Sequence, residues 1–337
     1  MTGKMFRWGI IGCGNVTEHK SGPALSKVSD SMIAAVMRRD GKKAANYAQR
    51  HNIKKWYTDA SQLINDPDVN IVYVATPPSS HAAYTIEALK AGKPVYVEKP
   101  MGLNYRECSE MIETAKRMNL ALFVAYYRRA LPEFIAIKKL IDEKKIGDIR
   151  MVNITLHLNP REGDNGENKH WHVQPEISGG GHFADLAPHQ FDLMEYFFGQ
   201  IEAIRSFAVN QAGYYTAEDC VTASFTFSNG IIGNGSWCFT THESCRKDET
   251  VILGSQGKII FSTFDHTPVI LVTKDKSESL SFNRPEHIQQ PLIQSVIDEL
   301  SGQGKSPCDT HSAARTTKLI EMTLKEYYTH IAGQLNE

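Results

Sequence analysis

Asp185 and His189 stand four residues apart in the run Gly179-Gly180-Gly181-His182-Phe183-Ala184-Asp185-Leu186-Ala187-Pro188-His189-Gln190-Phe191-Asp192. The three glycines permit positive φ and close approach of the backbone to a ligand. The residues after them read as a helix, on which positions i and i+4 share a face. A carboxylate beside an imidazole can hold and move a proton near neutral pH. Ordinary solvated helix faces carry the same pair, as do caps with a satisfied histidine. Its chemistry therefore depends on what else the chain supplies.

A second set of residues points to a dinucleotide. Gly12-Cys13-Gly14-Asn15-Val16-Thr17 closes the first apolar run and opens a helical pattern. A glycine turn in that place receives a pyrophosphate on free backbone N–H groups, which makes Gly12, Gly14, Asn15 and Val16 cofactor candidates. The full fingerprint ends in glycine or alanine where this chain has Thr17, so the motif is weak by itself and draws its force from its position. The second apolar run ends in Arg38-Arg39, with Asp40 two places later than the acidic residue that usually holds the ribose hydroxyls of NAD. A guanidinium there stacks on adenine and pairs with a 2′-phosphate, which predicts NADP(H) in preference to NAD(H). Thr76, Pro77 and His81 close one later strand, and Glu98-Lys99-Pro100 closes the next. Both lie at C-terminal strand edges, where open α/β sheets bind ligands.

These residues need a frame. Over the first 125 residues or so, apolar runs alternate with helical patterns. Strands are expected at 6–11, 32–37, 71–75, 95–97 and 121–125, with helices at 15–28, 41–51, 80–91 and 104–119. Such alternation means βαβ units and a parallel sheet buried on both faces. After Gly147 the pattern changes to period two, as in Val221, Ala223, Phe225 and Phe227, followed by the hairpin signal Asn229-Gly230. The expectation is a dinucleotide-binding Rossmann domain over 1–125. A second α/β domain over 126–337 holds a mainly antiparallel sheet with one wet face, and its last helix is free to pack back on the first domain. The polar stretch 159–169 before Trp171 reads as either a lid or an insertion.

With 337 residues and a net charge of −1, the chain has room for two domains and lacks the charge bias of a nucleic-acid or anionic-membrane partner. No apolar run reaches the roughly 18 residues of a membrane span. The N-terminus runs into a strand with no leader pattern, so a cytoplasmic location is expected. The six cysteines show no paired short spacing and the thirteen histidines no HExxH, which predicts reduced structural thiols and no metal site.

Read together, the glycine turn, the Thr76-Pro77-Pro78…His81 turn, Glu98-Lys99-Pro100, Arg128-Arg129 and Ser178-Gly179-Gly180-Gly181…Asp185…His189…Asp192 resemble the glucose–fructose oxidoreductase/inositol dehydrogenase-like (Gfo/Idh/MocA) family. The resemblance spans nearly the whole chain. It implies a Rossmann domain followed by an α/β domain with a large open sheet, through which members often form homodimers or homotetramers. It also implies that Lys99 polarises the reacting oxygen, His189 is the general acid/base, Asp185 positions substrate and histidine, and Arg128 belongs with the cofactor residues. Three positions depart from the family pattern: Thr17 replaces a common alanine, Tyr127 a polar amide, and His172 a common arginine. Trp171, His172 and His157 are substrate-site candidates, with a satisfied structural histidine the favoured reading for His157. The expected activity is hydride transfer between NADP(H) and a sugar, cyclitol or related polyol or ketone, with NAD(H) as second candidate. Two other readings compete with it: a dinucleotide-binding sensor without chemistry, and a glycoside hydrolase that uses nicotinamide transiently.

Overall fold

Short, mostly apolar runs build the first sheet. A computed structural model describes residues 5–166 and 169–334, so 167 and 168 of the polar stretch lie outside the described residues. Two units emerge: the chain to Leu131 with Arg284–Thr317, and Pro132–Asn283 with the chain from Lys318. In order, the first unit carries β1 (Phe6–Ile11), α1 (Asn15–His19), α2 (Gly22–Lys27), β2 (Ser31–Met37), α3 (Gly41–Arg50), β3 (Lys55–Tyr57) and α4 (Ala60–Ile64). It continues through β4 (Ile71–Val74), α5 (His81–Lys90), β5 (Val95–Val97), α6 (Tyr105–Met118) and β6 (Leu122–Val124). The sheet order is β3-β2-β1-β4-β5-β6, with every pair parallel. Every residue of β4 and β5 is buried, as a sheet covered on both faces requires. The order reverses between β1 and β4, and doubly wound sheets bind nucleotides at that crevice.

One expected helix is two. The pattern over 15–28 breaks into α1 and α2 because Pro23 has no N–H to donate and its ring excludes a continuous helix. Gly22 then packs so closely that a Cβ would lie 2.1 Å from the Thr17 carbonyl oxygen. The short edge strand β3 and helix α4 are additions to the expected order; three residues give too little periodicity to be read. Elsewhere the helix ends carry their own signals. Asn104 caps α6 through the Glu107 N–H (2.9 Å), and Asn119 ends it in the left-handed conformation.

The second unit holds α7 (Pro132–Asp142), β7 (Ile149–His157), α8 (Pro175–Ser178), α9 (His182–Phe198), β8 (Ile201–Val209), β9 (Cys220–Phe227) and β10 (Ile232–Cys238). Then come β11 (Lys247–Gly254), β12 (Gly257–Phe261), β13 (Val269–Thr273) and β14 (Ser277–Leu280). Helix α10 (Gln290–Leu300) belongs to the first unit, and the division falls within α11 (Thr310–Gln334). The strand order is β14-β13-β12-β11-β7-β10-β9-β8, antiparallel throughout except for the parallel pair β7–β10. Burial alternates along β9 with period two, and Gly230 takes φ +84° in the β9–β10 turn, as Asn229-Gly230 predicts. The inner face packs on α9, where Phe183 and Phe191 meet the Trp237 ring at 5.0 and 5.6 Å. The indole N–H of Trp237 donates to Gln190 Oε1 at 2.7 Å, so this large buried side chain is fully satisfied.

Candidate active site

In the first unit, β1 delivers the glycine turn. Gly12 takes φ +95°, and a Cβ there would meet the Ala75 carbonyl oxygen and Thr76 Cγ2 at 2.8 Å, so only glycine lets the turn lie against the end of β4. A Cβ at Gly14 would find nothing nearer than 3.9 Å, leaving that side of the turn open to a ligand. Asn15 and Val16 begin α1, whose N-cap Gly14 contributes no side chain. Thr17 is buried and donates its hydroxyl to the Gly14 carbonyl (2.9 Å), tightening the turn where a family alanine would only fill space.

Charged residues at the end of β2 take separate directions. Arg38 Nη1 donates to the Cys13 carbonyl (3.1 Å), which lays the guanidinium beside the glycine turn. Arg39 is exposed. Asp40 accepts the Lys43 N–H (3.1 Å) as the cap of α3, so its carboxylate is engaged with its own helix.

Thr76 and Pro77 follow β4, and His81 anchors them. Its ring is fully buried, with Nε2 2.7 Å from the Thr76 oxygen and Nδ1 2.8 Å from the Pro100 oxygen. Burial pushes this imidazole below its usual range, opposing the two carbonyls that favour a protonated ring. The side chain thus ties one strand-end turn to the next and presents no free nitrogen to a ligand. Glu98 is equally built in: Tyr73 donates to its Oε1 at 2.6 Å and Gln289 at 2.7 Å, while Gln289 in turn accepts from Tyr96 (3.1 Å). This buried carboxylate fixes the chain direction, so that the next residue, Lys99, leaves the end of β5 half-buried before the cis Lys99–Pro100 peptide. Arg128 is buried with its guanidinium over the Tyr127 ring (4.9 Å), and Arg129 donates to Ser312 (2.5 Å) and to the Pro307 carbonyl.

In the second unit, α9 carries Asp185 and His189 one turn apart. His189 is 4% exposed, with the edge of Phe264 against it at 6.0 Å. The Phe264 turn is itself held by Asp248, which accepts the N–H groups of Thr263, Phe264 and Asp265 at 3.1, 2.5 and 2.9 Å. Asp185 is partly open, and a guanidinium and an imidazole face it: Arg161 Nη1 at 3.9 Å and His172 Nε2 at 3.8 Å from Oδ2. His172 stacks on Trp171 with ring centroids 3.6 Å apart, which places these two substrate candidates around the same carboxylate. His157 lies 3.0 Å from Ser236 on the adjacent strand, a satisfied sheet position.

Some of the residues that organise this helix have no motif. Among the three glycines only Gly179 takes a positive φ; Gly180 and Gly181 are buried against protein, which corrects their reading as ligand-approach positions. Asp164 of the polar stretch pairs with His182 at 2.9 Å, both side chains 2% exposed, and so attaches that stretch to the first turn of α9. Burial and the nearby Arg161 push His182 below its usual pKa, towards the neutral ring. Glu218, fully buried, accepts the Gly181 N–H at 2.8 Å and the Tyr328 hydroxyl at 2.6 Å. Each contact joins residues far apart in sequence, so no local spacing announces it.

Among the described residues no group of three or more His, Cys, Asp or Glu side chains has metal-binding geometry, and no helix is long and apolar enough to cross a membrane.

Comparison with known proteins agrees with this architecture. Residues 6–126 match the Gfo/Idh/MocA oxidoreductase family, NAD-binding Rossmann fold, and residues 134–260 match the C-terminal domain of the same family. Oxidoreductase P35 of Formosa agariphila is 41% identical over 319 residues, covering 94% of this chain and 97% of that protein. The trans-1,2-dihydrobenzene-1,2-diol dehydrogenase of Bos taurus is 28% identical over 95% of this chain and 90% of its own length. Among solved structures, levoglucosan dehydrogenase in complex with NADH and levoglucosan superposes with a TM-score of 0.85 at 21% identity, over 96% of this chain and 97% of that one. The chain belongs to the Gfo/Idh/MocA family and is an NAD(P)-dependent oxidoreductase.

Proposed function

We propose that this enzyme transfers a hydride between NADP(H) and a sugar, cyclitol or related polyol or ketone. The observation that carries the reading is the α9 face, where buried His189 lies one turn from Asp185 and the Trp171–His172 stack and Arg161 gather around that carboxylate. Clustered hydrogen-bonding groups beside a flat aromatic surface suit a polyhydroxylated ring. A relative bearing the name levoglucosan dehydrogenase fits the same substrate class.

The nicotinamide, when bound, supplies the hydride chemistry. Gly12 and Gly14 give the dinucleotide backbone close approach, Thr76 and Pro77 line the adjacent strand end, and the Glu98 anchor directs Lys99. Arg128 completes the dinucleotide set, with His81 acting through the turn it ties. Negative charge develops on the substrate oxygen as the C–H bond changes; the Lys99 ammonium stabilises it and His189 exchanges its proton. Asp185 orients the imidazole and a substrate hydroxyl. Arg38, beside the glycine turn, supports NADP(H), and Asp40 uses Oδ1 to cap α3. The outward face of the second sheet carries Phe207, 81% exposed, and Ile232 among the outward threonines of β9, and through it we propose a homodimer or homotetramer.

The test is a panel of polyols and ketoses with each cofactor, following absorbance of the reduced nicotinamide. Turnover with a preference for NADPH is expected. An equal or greater preference for NADH would overturn the cofactor reading. Bound dinucleotide without turnover of any member would favour a sensor, and glycoside cleavage without net change in NADP(H) a hydrolase.

A further inference from the structure

The N-cap of α9 is a glycine, so the helix that carries Asp185 and His189 has no side chain of its own to satisfy its first turn. A carboxylate from another element takes that place. Glu218 Oε1 accepts the Gly181 N–H at 2.8 Å, and Oε2 accepts from Tyr328 of α11 at 2.6 Å. Gly181 is the N-cap residue, whose N–H a capping box satisfies from within the helix. The glycines make room for this contact: Cβ atoms at Gly180 and Gly181 would stand 3.1 and 3.3 Å from Glu218 Oε1.

We propose that Glu218 is a positioning residue for the reaction, a remote cap that fixes the first turn of α9 and with it the orientation of Asp185 and His189. The proposal rests on the proton-transfer role assigned to those two residues. Ionised Glu218 accepts from every donor around it. Once protonated, it must place its own O–H, and either Tyr328 turns from donor to acceptor or the first turn loses a bond. Burial pushes the carboxyl up to about 7, against the opposing effect of its Tyr328 and Gly181 donors. The other ionisable groups near it are Tyr327 on α11 and Tyr215 on the segment before β9, while the neighbouring Asp219 accepts the Gln211 and Ala212 N–H groups. The cap therefore changes state across neutral pH, and turnover should fall as pH drops through that value.

The test compares Glu218→Ala, Glu218→Gln and Tyr328→Phe in the full chain by amide hydrogen exchange and by steady-state kinetics, using the polyol and dinucleotide with the highest turnover in the panel. Losing a cap or one charge-assisted bond should speed exchange of the first-turn amides of α9 by about tenfold and lower kcat by a similar factor, with KM within about threefold. Glu218→Gln should restore both in part, because its amide oxygen still accepts the Gly181 N–H while its NH2, like the protonated carboxyl, has to face Tyr328; it should hold the low-pH rate at every pH and so abolish the part of the acid limb that Glu218 sets. Tyr328→Phe should move that limb to higher pH, since the charged form loses a donor. Unchanged first-turn exchange in Tyr328→Phe and Glu218→Ala would overturn the proposal, as would uniform loss of protection with no Gln rescue and an unmoved limb. If Glu218→Ala does not fold, the other two variants carry the test. Near-wild-type turnover in His189→Ala would refute the proton-transfer role instead, and the exchange data would still report on the cap.

Discussion

Arg38 and Asp40 stand two residues apart at the end of β2, and their hydrogen bonds send them in different directions. Arg38→Ala removes a guanidinium beside the glycine turn while Asp40 stays committed to α3. We expect it to weaken NADP(H) by about ten- to a hundredfold, the worth of one or two charge-assisted bonds, and to leave NAD(H) nearly unaffected. Fluorescence titration with both dinucleotides checks this; equal weakening would make Arg38 a structural residue. For Lys99→Met and His189→Ala the expected loss in kcat is about 10²–10⁴-fold each, with dinucleotide affinity retained, because in the proposed reaction each group acts on the reacting oxygen. Single-turnover rates near wild type in both would sink the assignment. Lys99, Asp185 and His189 could be singled out as candidates from the sequence because each belongs to a contiguous block. Arg161, Asp164 and Glu218 are not, because their partners lie in other elements.

At the scale of elements, the polar stretch and the first turn of α9 form one assembly through Asp164 and His182. A neutral His182 loses a hydrogen-bond partner, not an ionic one, in Asp164→Ala, so the cost should be about 1–3 kcal/mol in urea unfolding. The same change frees the segment bearing Arg161 and should raise KM for the polyol more than it lowers kcat. An unchanged KM would separate this stretch from substrate binding. The parallel βαβ order and the β9–β10 hairpin could be read directly, since continuous apolar runs and Asn-Gly turns are local signals. The break between α1 and α2 was also written in Pro23, but the apolar positions on either side keep helical spacing and hide it. Strand β3 was illegible for a different reason: it is a three-residue edge whose Trp56 is 45% exposed.

For the whole molecule, Glu218 links stability to pH. Its carboxyl binds a proton up to about 7 in the folded chain and only to about 4.3 when unfolded. The folded state holds the extra proton between those values. The contribution is complete below the lower one and is lost as pH rises through the upper one. Unfolding free energy should therefore fall by on the order of 3 kcal/mol across that window, and Glu218→Gln should flatten the fall; denaturant melts with parallel slopes would contradict this. Stability and turnover then respond to the same proton in opposite directions, a cost that functional sites commonly carry. The parallel pairing of β7 with β10 has a kinetic consequence. Met151 to His157 pair with Ile232 to Cys238, and everything between them, α9 included, lies inside the loop that this seam closes. Contacts so distant in sequence form late and slowly. In refolding followed by pulse labelling, the β11–β14 meander and the β9–β10 hairpin should gain protection early and the β7–β10 seam last. Because the seam closes the loop that contains the helix of Asp185 and His189, activity should return with that last phase and not before it.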